Sequence, residues 1–301
     1  MTLQGRALNG IALNGMTLQG MSLLGFQFDG ATQGGLALAN VHVDKGELIA
    51  ERDGATLRGT QLAGAVLQAQ ARNLNVDPEA AALITYRITS VEPEASSYDP
   101  THTGSTFLYM LEQWVTDSGT WQPACPADSD GRRVAIPLAA TWDERGDRSA
   151  SSSLFTFGCT SGVIAKCYRW GYRPWLTGYG ADMAATHWTC TRLARADYCG
   201  DGVSNTHDGT LINLWDRLPA PGPIQSHGGL LPPLGMLFEA GWGTSGAVCM
   251  AHWRWLELGA VLSTLCPLKN LGNLLCNSAG DADDYAGARI FNESFPLNLK
   301  L

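Results

Sequence analysis

Basic residues are scarce in this chain, and the shortage excludes two classes of partner. Lysine and arginine together number 20, against 28 aspartate and glutamate residues, which gives a formal net charge of −8. Nucleic-acid binding requires a basic face against the phosphates, and docking on anionic lipid requires a basic cluster. The composition therefore predicts neither a nucleic-acid partner nor attachment to an anionic membrane surface.

The chain also lacks long apolar runs and the short motifs of common cofactor sites. No run reaches the roughly 18 consecutive apolar residues of a membrane-spanning helix. No cysteine pair has the C-x-x-C spacing of zinc ribbons, and no phosphate loop or dinucleotide fingerprint occurs. Charged residues make up only 16% of the chain, where about 25% is usual, so we expect a large core. We expect no membrane span and no organic cofactor.

Cysteine, in contrast, is plentiful, with eight residues that all follow residue 124. An even number confined to one region fits four disulfides formed in an oxidising compartment. The alternative is a set of free core cysteines in a cytosolic protein, because free cysteine packs as a small apolar residue. Proximity along the chain favours the pairs Cys159–Cys167 and Cys266–Cys276.

The first thirty residues repeat with a period of five. Six apolar residues recur at this step, and a glycine follows each of them two positions later. The apolar positions are Leu3, Leu8, Leu13, Leu18, Leu23 and Phe28. A period of five fits neither a helix nor a strand, but it fits a solenoid in which each glycine turns a corner. The alternative is a low-complexity glycine-rich linker.

This repeat resembles the pentapeptide-repeat proteins. The same step returns at Leu57, Leu62 and Leu67, and the alternating stretch between the two tracts predicts a hairpin with its turn near Lys45–Gly46. We therefore predict a short N-terminal β-solenoid over residues 1–70 with an inserted hairpin. Its open end would expose strand edges, so we expect possible self-association there.

Alternation and helical spacing predict a mixed β domain in the remainder of the chain. Apolar and polar residues alternate over 83–92, 106–116 and 134–139, which is typical of half-buried strands. Residues 181–196 have helical spacing, and Asp182 stands where a carboxylate would cap the first turn. The predicted fold class is mainly β (α+β), with one or two helices.

Three motifs in this region resemble one known family. They are Gly171-Tyr172-Arg173-Pro174-Trp175, Ala196-Asp197-Tyr198-Cys199 and Glu239-Ala240-Gly241-Trp242. Together they are similar to the ADYC-domain family of exported bacterial proteins, which is named for the second motif, and the resemblance covers roughly residues 50–255. It implies export and disulfides but no particular activity. We therefore predict that residues 71–301 form an ADYC-type disulfide-rich domain.

The resemblance implies an extracellular, periplasmic or outer-surface location. Residues 1–20 show no secretory leader, so either Met1 replaces a removed leader or the true start lies upstream.

An aromatic and arginine-rich cluster is the first candidate for ligand binding. Its members are Trp170, Tyr172, Arg173, Trp175 and His187. Aromatic faces beside polar donors suit a surface polymer, a glycan or a protein partner. The alternative is core packing, because buried Trp and Tyr need a polar partner that arginine supplies. We expect a secreted or cell-surface binding or structural module of unknown ligand.

Two further groups of residues suggest other chemistry. Asp201, Asn205, Asp208 and Asp216 form an oxygen-rich stretch that loosely resembles a calcium loop, although their spacing also suits a glycine-rich turn. His187 and Asp197 form a feasible His–acid pair, which makes an extracellular hydrolase the alternative function.

Overall fold

The chain folds into two compact units, which a computed structural model describes for most residues. The described residues are 6–8, 21–73, 77–94, 106–151, 154–219, 221–227, 235–255, 275–282 and 287–295. Residues 14–165 form one unit, here called the barrel unit, and residues 1–13 with 166–301 form the other, called the sheet unit. The division predicted from the sequence was placed at residue 70, which lies inside a strand of the barrel unit.

The barrel unit is built from antiparallel strands. They are β2 (Met21–Gln33), β3 (Leu36–Ala37), β4 (Ala39–Asp44), β5 (Glu47–Arg52), β6 (Ala55–Arg58), β7 (Ala65–Asn73), β8 (Asp77–Pro93), β9 (Phe107–Val115), β10 (Thr120–Pro123), β11 (Val134–Leu138), β12 (Thr141–Trp142), β13 (Arg148–Ser149) and β14 (Leu154–Cys159). A short 3-10 helix spans Gly59–Leu62. Six strands pair in the order β9–β11–β14–β2–β7–β8, and β8 pairs again with β9, which closes a barrel.

Aromatic rings fill the interior of this barrel. The Phe26 ring lies 5.0 Å from Tyr86, 5.5 Å from Phe155 and 4.9 Å from Phe157, measured between ring centroids. All four side chains are buried. Tyr109 joins the cluster, and its hydroxyl accepts a hydrogen bond from the Leu48 backbone N–H at 2.9 Å. Such edge and offset contacts add to the energy of area burial, so the barrel is a packed core.

The predicted solenoid is wrong, because β2 is a barrel strand and not a stack of coils. Its register with β7 shifts between Leu23 and Gly25 and again between Gln27 and Thr32. Gly25 and Gly30 have positive φ values of 151° and 80°. Glycine at such positions permits bulges that bend a strand around a barrel. The repeated glycine therefore bends this strand. The predicted self-association through a solenoid end loses its structural basis.

The other predictions for this unit are largely confirmed. The mainly β fold class is correct, and β8, β9 and β11 match the three predicted alternating stretches. The predicted hairpin is formed by β4 and β5, with its turn at Lys45 and Gly46. These elements could be predicted because alternating apolar side chains and a tight turn are local signals.

The sheet unit contains a five-stranded antiparallel sheet and helices. Its strands are β1 (Arg6–Leu8), β15 (Leu211–Asp216), β16 (Leu237–Gly243), β17 (Gly246–Met250) and β18 (Ile290–Ser294), in the order β1–β15–β18–β16–β17. Helix α1 (Val163–Arg169) carries the chain from one unit into the other, and α2 (Met183–Arg195) and α3 (Ala279–Ala282) belong to the sheet unit. Among the described residues, no helix has the length and apolar character to cross a membrane.

Three disulfides link described cysteines. They are Cys125–Cys159, Cys167–Cys190 and Cys249–Cys276, and Cys199 is also disulfide-bonded. The predicted pair Cys159–Cys167 is wrong. Cys159 bonds to Cys125 in a loop of the barrel unit, and Cys167 of α1 bonds to Cys190 of α2. The predicted pair Cys266–Cys276 is also wrong, because Cys276 bonds to Cys249, while Cys266 lies outside the described residues.

Peptide mapping of the unreduced protein should recover these three cross-linked pairs. Removing the first by the double change Cys125→Ser and Cys159→Ser should lower the free energy of unfolding by about 2–5 kcal/mol, because the unfolded chain regains the freedom of a long loop. Urea denaturation measures this loss. A cross-linked peptide containing Cys159 and Cys167 would contradict the assignment.

Candidate functional site

Helix α2 leads directly into the segment that organises the sheet unit. The Asp182 carboxylate accepts hydrogen bonds from the backbone N–H groups of Ala184 and Ala185, as the sequence predicts. At the other end Ala196 adopts a left-handed conformation with φ of 50°. This conformation ends the helix and turns the chain inward. Asp197 and Tyr198 therefore follow α2 into the interior, where both are buried.

Asp197 closes the loop that follows the helix. Its carboxylate pairs with Arg192 Nη1 at 2.5 Å, and both side chains are almost fully buried. It also accepts the backbone N–H groups of Asp201 and Gly202, each at 3.1 Å. The guanidinium and the two backbone donors satisfy the hydrogen-bonding capacity of this buried carboxylate.

Tyr198 bridges the loop to a buried ion pair. Its hydroxyl donates to Glu239 Oε1 at 2.9 Å and accepts from the Arg254 backbone N–H at 2.9 Å. Arg254 in turn contacts both oxygens of Glu239, through Nε at 2.9 Å and Nη2 at 2.8 Å. Asn292 Nδ2 donates to the same carboxylate at 2.7 Å, and Asn292 Oδ1 accepts from Trp242 Nε1 at 2.7 Å. This network ties the loop to β16 and β18.

The surroundings of Glu239 and Tyr198 set the protonation states of both side chains. Burial would raise the pKa of Glu239, but the charge and hydrogen bonds of Arg254 hold that pKa below its ordinary value. Burial, followed by the negative charge of Glu239, raises the pKa of Tyr198 well above its ordinary value. The tyrosine therefore stays protonated and the glutamate ionised, which are the states that the observed hydrogen bond requires.

Close backbone contacts explain why two positions near Tyr198 are occupied by glycine. A Cβ on Gly200 would lie 2.2 Å from the Ser245 carbonyl oxygen, and a Cβ on Gly246 would lie 2.5 Å from that of Tyr198. The Ala247 N–H also donates to the Tyr198 carbonyl at 3.1 Å. The loop therefore packs directly on the β16–β17 turn, and no larger residue fits at either position.

The side chains predicted to bind a ligand lie mostly in the interior. Trp170, Tyr172, Arg173 and His187 are buried, with at most 3% of their surface exposed. Trp175 is half-buried and donates from Nε1 to the Tyr168 hydroxyl at 3.2 Å. The geometry agrees with the core-packing alternative, and ligand binding by this cluster stays a prediction.

The proposed His187–Asp197 pair lies in the interior of the sheet unit. Both residues are buried, and Asp197 is occupied by Arg192 and backbone donors. Catalysis by this pair stays a prediction.

Three of the four residues predicted to bind calcium form hydrogen bonds within the chain, and calcium binding stays a prediction. Asp201 accepts the Val203 N–H, and the Asn205 amide donates to the carbonyls of Ala196 and Val203. Asp216 accepts from Tyr172 and from three backbone N–H groups, while Asp208 is exposed. No group of three or more His, Cys, Asp or Glu among the described residues could hold a metal ion.

A cleft in the sheet unit, here called the sheet cleft, brings together residues that, apart from Asp216, lie outside these predicted groups. It has a volume of about 580 Å³, and Trp215, His227, Met236, Phe238, Ser278 and Glu293 line it. Asn213, Glu293 and Phe238 lie opposite one another on β15, β18 and β16, so they share one face of the sheet. Asn292, one residue before Glu293, points to the other face, where Glu239 binds it.

A histidine and a glutamate form the polar centre of the sheet cleft. His227 Nε2 lies 3.1 Å from Glu293 Oε1, and Asn213 Nδ2 donates to Glu293 Oε2 at 2.8 Å. The imidazole also packs on Trp215, with 4.2 Å between ring centroids. The His227 side chain is 48% exposed and that of Glu293 is 12% exposed. Both groups can therefore meet a ligand.

Sequence reasoning missed this pair because nothing local marks it. His227 lies in a proline-rich stretch without regular structure, and Glu293 belongs to a five-residue strand far along the chain. Only Asp216, which lines the sheet cleft as well, was among the predicted site residues.

The comparisons with known proteins identify a domain. The sequence profile described as the ADYC domain matches residues 59–256, which is well over half of the chain. No curated protein and no solved structure matches the chain. Tyr198 and Glu239 lie within the matched range, whereas β18, with Glu293, lies beyond it.

Replacing Tyr198 by phenylalanine should destabilise the sheet unit. The change leaves the buried Glu239 and the Arg254 N–H each without one partner, so the free energy of unfolding should fall by about 1–3 kcal/mol. Chemical denaturation followed by fluorescence measures the loss. The half-buried Tyr179→Phe is the control. Equal stability of the two variants would contradict the structural role of Tyr198.

Proposed function

Because this chain belongs to the ADYC domain family, and because its Asp197 and Tyr198 are buried, we propose that the family motif stabilises the sheet unit and that function resides in the sheet cleft. We propose that the protein is an exported binding protein. The observation that carries the proposal is the aromatic-lined cleft with the His227–Glu293 pair at its centre. Clefts of this size that combine aromatic walls with polar groups are typical ligand sites.

The walls of the sheet cleft are held in place before any ligand arrives. The Cys249–Cys276 disulfide ties the segment that carries Asn277 and Ser278 to β17. The Cys276 N–H also donates to the Met250 carbonyl at 3.3 Å. A preformed site loses little conformational entropy on binding, which supports recognition of a ligand.

The disulfides also support the proposed location. Bridges of this kind form and persist in oxidising compartments. We propose an extracellular, periplasmic or outer-surface protein whose ligand belongs to a surface polymer, a glycan or a protein partner. A side group or chain end of such a partner fits the sheet cleft better than a flat surface would.

The alternative function is hydrolysis, and one observation favours it. An imidazole hydrogen-bonded to a carboxylate, which an amide orients, is an arrangement used in general base catalysis. In the sheet cleft His227, Glu293 and Asn213 are so arranged. Turnover in a broad hydrolase screen that is lost in His227→Gln, with the fold intact, would establish this alternative.

Phe238→Ala should weaken binding to arrayed glycans and peptides by about tenfold, because an aromatic side chain in a binding site typically contributes this much. Trp114→Ala, on the exposed surface of the barrel unit, is the matched control and should change nothing. Circular dichroism of each variant monitors the fold.

Trp175→Ala tests the site predicted from the sequence in the same assay. Loss of binding in a folded Trp175→Ala variant, together with full binding by Phe238→Ala, would place the ligand at the aromatic cluster and refute the sheet cleft.

A further inference from the structure

Glu293 is a largely buried carboxylate whose partners are not permanently charged. One oxygen accepts from the neutral amide of Asn213, and the other contacts His227, which is charged only if it is protonated. Among the described residues, no lysine or arginine forms an ion pair with it. Buried charges in proteins are normally paired, so this carboxylate is unusual.

The other buried carboxylates of the sheet unit show the usual arrangement. Glu239 has the Arg254 guanidinium, and Asp197 has that of Arg192. Asp216 has no arginine, but four hydrogen-bond donors satisfy it. Glu293 has two contacts and borders a cleft that is open to solvent. It therefore retains the capacity to accept a charged donor from outside the chain.

The surroundings of Glu293 favour a particular kind of cation. Trp215, Phe238 and Met236 line the same cleft. The charged side chains of Asp216 and Arg217 line it as well. Aromatic rings attract cations through the negative charge of their faces, and apolar side chains pack on alkyl carbons. A metal ion would need several more oxygen ligands than Glu293 offers. An ammonium group on a carbon skeleton satisfies both the carboxylate and the rings.

We propose that the sheet cleft binds an organic primary ammonium group, which donates hydrogen bonds to Glu293 while its carbon atoms pack against Phe238 and Met236. The proposal rests on the proposed binding function and names its ligand chemistry. Amino sugars and lysine side chains both carry this group, and either belongs to a polymer or protein of the kind proposed as partner.

Calorimetry with matched pairs of small ligands tests the charge. One pair is glucosamine and glucose. The other is Nα-acetyl-lysine amide, whose ε-ammonium group is free, and Nα-acetyl-norleucine amide. In at least one pair the amine should bind about tenfold more tightly than its neutral counterpart, because a charge-assisted hydrogen bond contributes roughly this factor. The pair that shows the difference identifies the source of the ammonium group.

Variants then assign the difference to Glu293. Glu293→Gln keeps the size and hydrogen-bonding ability of the side chain, so it should abolish the preference for the amine while thermal melting stays close to that of the parent. Glu92→Gln, a carboxylate of the barrel unit paired with Arg132, is the matched control and should leave the preference intact. His227→Lys would place an ammonium group of the chain itself beside Glu293 and should block amine binding.

Two results would overturn the ammonium proposal. Neither of them decides by itself whether the sheet cleft binds a ligand, which a separate measurement tests. Equal binding of amine and neutral ligand, unaffected by Glu293→Gln, would refute the ammonium assignment while it supports a ligand site. Absence of binding by all four ligands would also refute it, and the arrayed glycans and peptides with Phe238→Ala would then decide whether the sheet cleft binds anything.

Discussion

The sheet unit depends on one buried carboxylate, that of Glu239. It receives two hydrogen bonds from Arg254, one from the Tyr198 hydroxyl and one from Asn292, and so it joins the segment after α2 to β16 and β18. An ionised carboxylate is costly to bury, and this network offsets the cost only while its members are in place. Removing one partner leaves the charge partly unsatisfied, so the geometry around it is narrowly determined.

This constraint extends to the opposite face of the sheet. Asn292 is held by Glu239, and the next residue, Glu293, points the other way into the sheet cleft. A strand fixed on one face presents its other face at a fixed position, because successive side chains alternate. The buried network that contains the family motif thereby sets where the polar centre of the sheet cleft lies. The motif residues Asp197 and Tyr198 are buried, and the sheet cleft that we propose as the binding site lies on the other face of the sheet.

Prediction from the sequence succeeded where the signal was local. Alternation indicated β8, β9 and β11, and Asp182 marked the start of α2, because a cap and a pleated strand depend on a few neighbouring residues. The five-residue repeat misled because glycine at regular spacing serves coil corners and strand bulges equally well. The register of β2 with β7 and β14, which distinguishes the two, is a contact between distant segments.

The sequence by itself determined the mainly β class, the family and the oxidised cysteines of this protein, since each follows from composition or from an ordered set of motifs. Only the tertiary structure decided the closed barrel, the disulfide partners and which residues line the candidate site. His227 and Glu293 are 66 residues apart and meet because β15, β16 and β18 are neighbours in one sheet. Aromatic residues such as Tyr172 and Trp170 read alike as core or surface in a sequence, and burial, which is a property of the folded chain, assigned them to the core.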